Sequence, residues 1–117
     1  MVTAVVIDDD VDTVDVFCDY LKLKNVDVLA TGHNGKAAVE LYQKYKPDVL
    51  FLDLMMPEYD GFYALENIRK VDAAAKIIVV TADLREESSM KLEVLKPTKI
   101  FIKPYDIDKI GQLLSEI

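Results

Sequence analysis

The 117-residue sequence predicts an α/β protein, a doubly wound (βα)5 unit in which helices cover both faces of one parallel five-stranded sheet. Short apolar, β-branched runs recur five times, and each is followed by a stretch whose apolar residues return with helical period. The start signals agree, because Asp10, Asn34 and Asp106 stand where helix N-caps belong.

The first strand is predicted over 2–7, and Val11, Val14, Phe17, Cys18 and Leu21 mark the helix after it. A second strand over 26–30 ends in Thr31-Gly32, which reads as turn chemistry, and Ala37, Ala38, Leu41, Tyr42 and Tyr45 mark its helix. The third strand, 49–52, runs through a Pro57…Asp60-Gly61 turn into a helix marked by Phe62, Leu65 and Ile68. After a fourth strand over 77–80 comes the faintest pattern, 84–95. Met90, Val94 and Leu95 would line its apolar face, but Ser88-Ser89 and nearby charges dilute the signal. The fifth strand, 100–102, leads into a helix marked by Ile107, Ile110, Leu113, Leu114 and Ile117. No repeat, low-complexity tract or linker interrupts the series, so residues 1–117 read as a single domain.

Composition narrows the function classes. A hydrophobic fraction of 51% beside 30% charged residues is that of an ordinary globular protein, long enough to bury a core without staples. The net charge of −7 argues against direct nucleic-acid binding, which needs clustered Lys and Arg. Cys18 is the sole cysteine, so no disulfide forms within the chain, and it reads as a small core hydrophobe. No segment approaches the roughly 18 apolar residues of a membrane span, so no membrane role and a cytoplasmic location are expected. His33, just before Asn34-Gly35, reads as an exposed loop residue with no metal-site partner.

In a parallel α/β sheet, ligands bind outside the carboxyl ends of the strands. The first strand delivers Asp8-Asp9-Asp10 to that edge, the third Asp53, the fourth Thr81 and the fifth Lys103-Pro104. Asp53 is the telling residue: it ends the apolar run VLFL and is followed by more apolar residues, LMM. A carboxylate there is costly unless it is paired or protonated. An oxygen-rich cluster suits a hard divalent ion such as Mg²⁺, with Lys103 balancing a further anion and Thr81 offering a hydroxyl. Asp10 is better explained as the N-cap of the first helix than as a ligand. Each signal alone has a bland reading as a cap or turn, and their joint fall on matching strand ends is what carries weight.

Together these residues resemble the receiver domain of two-component response regulators, the CheY-like family. The matching blocks are the acidic pair Asp8-Asp9, the L-D-L-M-M-P-x-x-D-G segment around Asp53, V-V-T-A with Thr81, and Ile102-Lys103-Pro104-Tyr105. The resemblance covers essentially the whole chain and implies a flavodoxin-like sheet of strand order 2-1-3-4-5. It implies that Asp53 is the phosphoacceptor, taking a phosphoryl group from a sensor histidine kinase or histidine phosphotransfer protein. Asp8, Asp9, Asp53 and the Met55 backbone carbonyl would hold Mg²⁺, or Mn²⁺ in its place. Lys103 would stabilise the transferring group and Thr81 would engage the phosphorylated Asp53. The switched surface, formed by the fourth helix, fifth strand and fifth helix, would meet a downstream protein target or a second copy in a homodimer. Such a domain promotes its own phosphorylation and dephosphorylation without being a turnover enzyme, and no effector domain is expected within these residues.

The chain departs from the family pattern at several points. Ile100 stands where the family often has an aromatic three residues before the lysine, and strand alternation places Phe101 on the opposite face. Lys96-Pro97-Thr98-Lys99 replaces a small Gly-Ala turn, and Pro97 cannot continue a helix. The positions two beyond Asp53 and two beyond Thr81, which tune dephosphorylation in the family, are Met55 and Asp83. Rival readings are a flavin module, an aspartyl-phosphate hydrolase and a receiver-like fold regulated without phosphorylation. Three aspartates after the first strand would repel a flavin phosphate, and Met55 offers a hydrolase no acid or base. Retention of all five site residues weighs against the third.

Overall fold

Strand alternation splits the apolar side chains between two cores, one on each face of the sheet. The computed structural model describes residues 1–82 and 85–116; Asp83, Leu84 at the start of the expected 84–95 stretch, and the helix marker Ile117 lie outside the described residues. Strands and helices alternate as β1 (Thr3–Ile7), α1 (Val11–Leu23), β2 (Asp27–Gly32), α2 (Gly35–Tyr45), β3 (Val49–Leu52), α3 (Gly61–Val71), β4 (Ile77–Thr81), α4 (Glu86–Leu95), β5 (Lys99–Ile102) and α5 (Ile107–Ser115). The strands are all parallel, in the expected order β2-β1-β3-β4-β5.

Val5, Ile7, Leu50, Leu52, Ile77 and Val79 pack beneath α2, α3 and α4 through Tyr42, Leu65, Ile68 and Leu92. The alternate residues Ala4, Val6, Val49, Phe51, Ile78 and Val80 meet α1 and α5 through Phe17, Leu21, Ile110 and Leu114. Burial on both faces is why β3 and β4 are unbroken apolar runs. Cys18 is buried in the second core, as expected of a small hydrophobe. The caps hold too: Asp10, Asn34 and Asp106 accept backbone N–H bonds from Asp12, Ala37 and Asp108.

The structure corrects three sequence expectations. Thr31 and Gly32 are not a turn, because they continue β2 and pair with Val6 and Ile7, extending the ladder to the end of β1. Val11 and Tyr45 are exposed, at the first turn of α1 and the last residue of α2. In α4, Met90 and Val94 are 62% and 79% exposed, while Ser88 and Leu92 are buried and Leu95 packs partly against the core. The buried side of that helix is therefore narrow, with Leu92 its one fully core-packed apolar residue. No helix among the described residues is long and apolar enough to cross a membrane.

Candidate functional site

Parallel pairing brings the acidic residues together. Ile7 lies opposite Leu52, and the ladder runs one residue further, with the Asp53 N–H donating to the Ile7 carbonyl at 3.0 Å. Asp8 and Asp53 therefore leave adjacent strands side by side. At the other side of the rim, the Lys103 N–H donates to the Thr81 carbonyl at 2.8 Å, continuing the β4–β5 ladder. The Lys103–Pro104 peptide bond is cis. Two glycines let the flanking helices close on this rim. A Cβ at Gly61 would lie 2.3 Å from the Asp53 carbonyl oxygen, and one at Gly35 would lie 2.2 Å from that of Asp60. Asp60 caps α3 by accepting from the Tyr63 N–H at 2.9 Å, which seats that helix against the end of β3.

Carboxylate oxygens of Asp8, Asp9 and Asp53 all lie within 4.8 Å of one another. Asp8 and Asp53 are buried and Asp9 is exposed. Lys103 reaches over them, with Nζ 3.0 Å from Asp8 Oδ2 and 3.9 Å from Asp53 Oδ2. Burial, then the charge of Asp8, pushes the Asp53 carboxyl above its ordinary range; Lys103 and the N–H groups of Met55 and Leu54 only partly offset this. For Lys103, burial is the largest influence and favours the neutral amine, but the Asp8 hydrogen bond and the charges of Asp53 and Asp8 outweigh it and raise its pKa. The lysine thus belongs chiefly to Asp8, and Asp53 keeps a deficit of positive charge. An all-oxygen donor set of this kind, open on the Asp9 side, fits a hard divalent cation such as Mg²⁺.

Thr81 is fully buried at the end of β4. Asp10 stands apart from the carboxylate trio, accepting from the Asp12 N–H at 3.1 Å and the Thr13 hydroxyl at 2.8 Å. Met55 places its N–H 3.4 Å from Asp53 Oδ1 and its half-exposed side chain at the rim, with Sδ 3.3 Å from an Arg85 guanidinium nitrogen. Sequence reading passed over three contributors: Gly35, Arg85 and His33. His33 is exposed as expected, yet its Nδ1 lies 2.9 Å from the Asp8 carbonyl oxygen. A turn-forming N-G pair could have flagged Gly35, whereas nothing local announces a contact across 25 residues. On β5, Phe101 packs into the α1–α5 core, while Ile100 and Ile102 face a groove bordered by Leu92, Lys96 and Pro97.

The sequence profile described as the response regulator receiver domain matches residues 4–115. The chemotaxis protein CheY of Bacillus subtilis is 35% identical over 100 residues, 84% of this chain and 82% of that one. CheY of Listeria monocytogenes is 32% identical over 117 residues, covering 99% and 98%. A Staphylococcus aureus DNA-binding response regulator of the LuxR family superposes with a TM-score of 0.91 at 26% identity, covering 99% of this chain and 98% of that one. The CheX-CheY-BeF3-Mg²⁺ complex from Borrelia burgdorferi gives 0.89 at 26% identity, covering 98% and 87%. A profile match over nearly the whole length, relatives above 30% identity and the shared sheet order agree: this chain belongs to the response regulator receiver family and is a CheY-like module of two-component signalling.

Proposed function

We propose that Asp53 accepts a phosphoryl group from a phosphohistidine of a sensor histidine kinase or histidine phosphotransfer protein. The observation that carries this reading is the cluster of Asp8, Asp9 and Asp53 within 4.8 Å, bridged by Lys103. A carboxylate oxygen of Asp53 attacks phosphorus, and the new P–O bond forms as the P–N bond to the donor imidazole breaks. The leaving nitrogen keeps the bonding pair and takes up a proton. Asp8, Asp9, Asp53 and the Met55 carbonyl would hold Mg²⁺, or Mn²⁺ in its place, which when bound offsets the charge of carboxylates and phosphoryl oxygens. The presence of Mg²⁺ in the Borrelia relative's complex supports the choice of cation. Lys103 contributes a fixed positive charge beside the reacting oxygens, and the Thr81 hydroxyl donates to the phosphorylated side chain.

The added charge biases a two-state equilibrium toward a rearranged face made by α4, β5 and α5. Met90, Val94, Ile100 and Ile102 already expose apolar surface there, which suits a downstream protein target or a second copy in a homodimer. The net charge of −7 favours protein over nucleic acid as the direct partner. In this reading residues 1–117 act as one cytoplasmic receiver domain that assists its own phosphorylation and dephosphorylation without turnover on other substrates. The test is intact-mass measurement after incubation with a small acyl-phosphate donor, with and without Mg²⁺, beside Asp53→Asn. A Mg²⁺-dependent phosphoryl adduct absent from the variant is expected. An adduct of equal yield in Asp53→Asn would overturn the assignment.

A further inference from the structure

We infer that His33 is a positioning residue for the cation site, holding the Asp8–Asp9 peptide so that both carboxylates face Asp53. The inference rests on the reading of Asp8, Asp9 and Asp53 as cation ligands. Asp8 is held at four points. Its N–H donates to the Gly32 carbonyl at 3.2 Å, and its own carbonyl oxygen lies 2.9 Å from His33 Nδ1. Its Oδ1 accepts from the Asp10 N–H at 3.0 Å and its Oδ2 from Lys103 Nζ at 3.0 Å. A carbonyl can only accept, so Nδ1 of His33 carries the proton and donates it.

That contact has a consequence one residue on. The Asp8 carbonyl and the Asp9 N–H share a single planar peptide, so fixing the carbonyl direction fixes where Asp9 leaves it. Asp9 is the exposed member of the trio, on the connection between β1 and α1. Without a cation, repulsion from Asp8 and Asp53 favours drift of its carboxylate away from the cluster. His33 opposes that drift from the neighbouring β2–α2 connection, just where the β1–β2 ladder ends at Gly32. The site then needs less reordering when the ion arrives. A merely structural link would hold the loop without affecting cation affinity.

Cation binding to the full chain can be read from the electron paramagnetic resonance signal of free Mn²⁺, with thermal melting of the metal-free protein beside it. His33→Ala is expected to weaken Mn²⁺ binding about tenfold, the low end for loss of an outer partner of a metal site, at an unchanged melting temperature. His33→Asn, whose side-chain N–H reaches the same carbonyl, is expected to recover most of the affinity. If His33→Ala binds Mn²⁺ as the parent does while Asp9→Asn and Asp53→Asn lose it, the inference falls and the cation site stands. Equal loss in the Ala and Asn variants also overturns it. A parent chain that binds no Mn²⁺ overturns the ligand reading itself.

Discussion

β3 and β5 are four-residue strands of one sheet, yet VLFL is buried along its whole length while KIFI buries only Phe101. The difference lies in their neighbours. β3 runs between β1 and β4 with helices on both faces, whereas β5 is an edge strand. On one side of β5, Phe101 is covered by the α1–α5 core and lies 6.0 Å from the Tyr105 ring. On the other, Ile100 and Ile102 look into a groove that α4 only partly roofs. Asp8, Asp53 and Thr81 therefore stand at the ends of strands buried along most or all of their length, and Lys103 at the end of the lightly packed edge strand. The phosphoryl transfer proposed above would draw on both: a firmly placed acceptor carboxylate, and a region that rearranges at small cost.

The largest way to break this contrast is in the cores. Phe51 is 2% exposed and meets Phe17 edge-to-face at 4.8 Å, so Phe51→Ala should cost about 3–5 kcal/mol in urea unfolding. Ile100→Ala, at 38% exposure, should cost about 1 kcal/mol or less. Equal losses would show that the β5 edge is as tightly built as the centre. Next comes Gly61→Ala, where the new methyl meets the Asp53 carbonyl. We expect about 1–3 kcal/mol of destabilisation, typical of overpacking, together with a reduced phosphoryl adduct, because the strand end must shift.

The pH dependence of Asp53→Asn probes the buried end of β3 directly. Burial and Asp8 raise the native pKa of Asp53 above its ordinary 3.8. The folded state then binds more protons than the unfolded one between those values, so the ionised carboxylate opposes folding above its native pKa. In the absence of divalent ions, Asp53→Asn should be the more stable protein at pH 7. Its advantage should shrink as the pH falls through the native pKa toward 3.8 and vanish below it. Thermal melts across that range would check this, and a constant gap down to low pH would contradict the sign. Saturating Mg²⁺ should reverse the order, because it binds the parent's native state more tightly. The smallest effect expected is kinetic. Met55 offers an attacking water no hydrogen bond of use, so Met55→Asn should speed phosphate release from the phosphorylated protein with little change in stability. Unchanged release rates would count against that role for the position.

Much of this was legible along the chain. The caps at Asp10, Asn34 and Asp106 and the apolar strand runs are signals within a few residues; the caps fall where expected and the strands do so to within a residue or two at their ends. Asp53 stood out because a carboxylate behind VLFL contradicts its local setting. α4 departs from its sequence pattern for an equally physical reason. Its N-cap, Arg85, makes no side-chain capping bond, and Ser88 is buried while Met90 and Val94 are not. Periodicity finds an apolar face only when that face is the one that packs.

The order and type of the elements, the burial of the central strands, and the residue types that arrive at the carboxyl rim can all be read along the chain. Those follow from backbone propensity, side-chain period and capping, all short-range. Folding alone reveals that Thr31 and Gly32 extend β2, that Lys103 sits nearer Asp8 than Asp53, and that His33 touches the Asp8 carbonyl. These depend on strand register and on how neighbouring connections meet across the rim. Residues far apart in the chain settle such contacts by packing together, and no local pattern records the result.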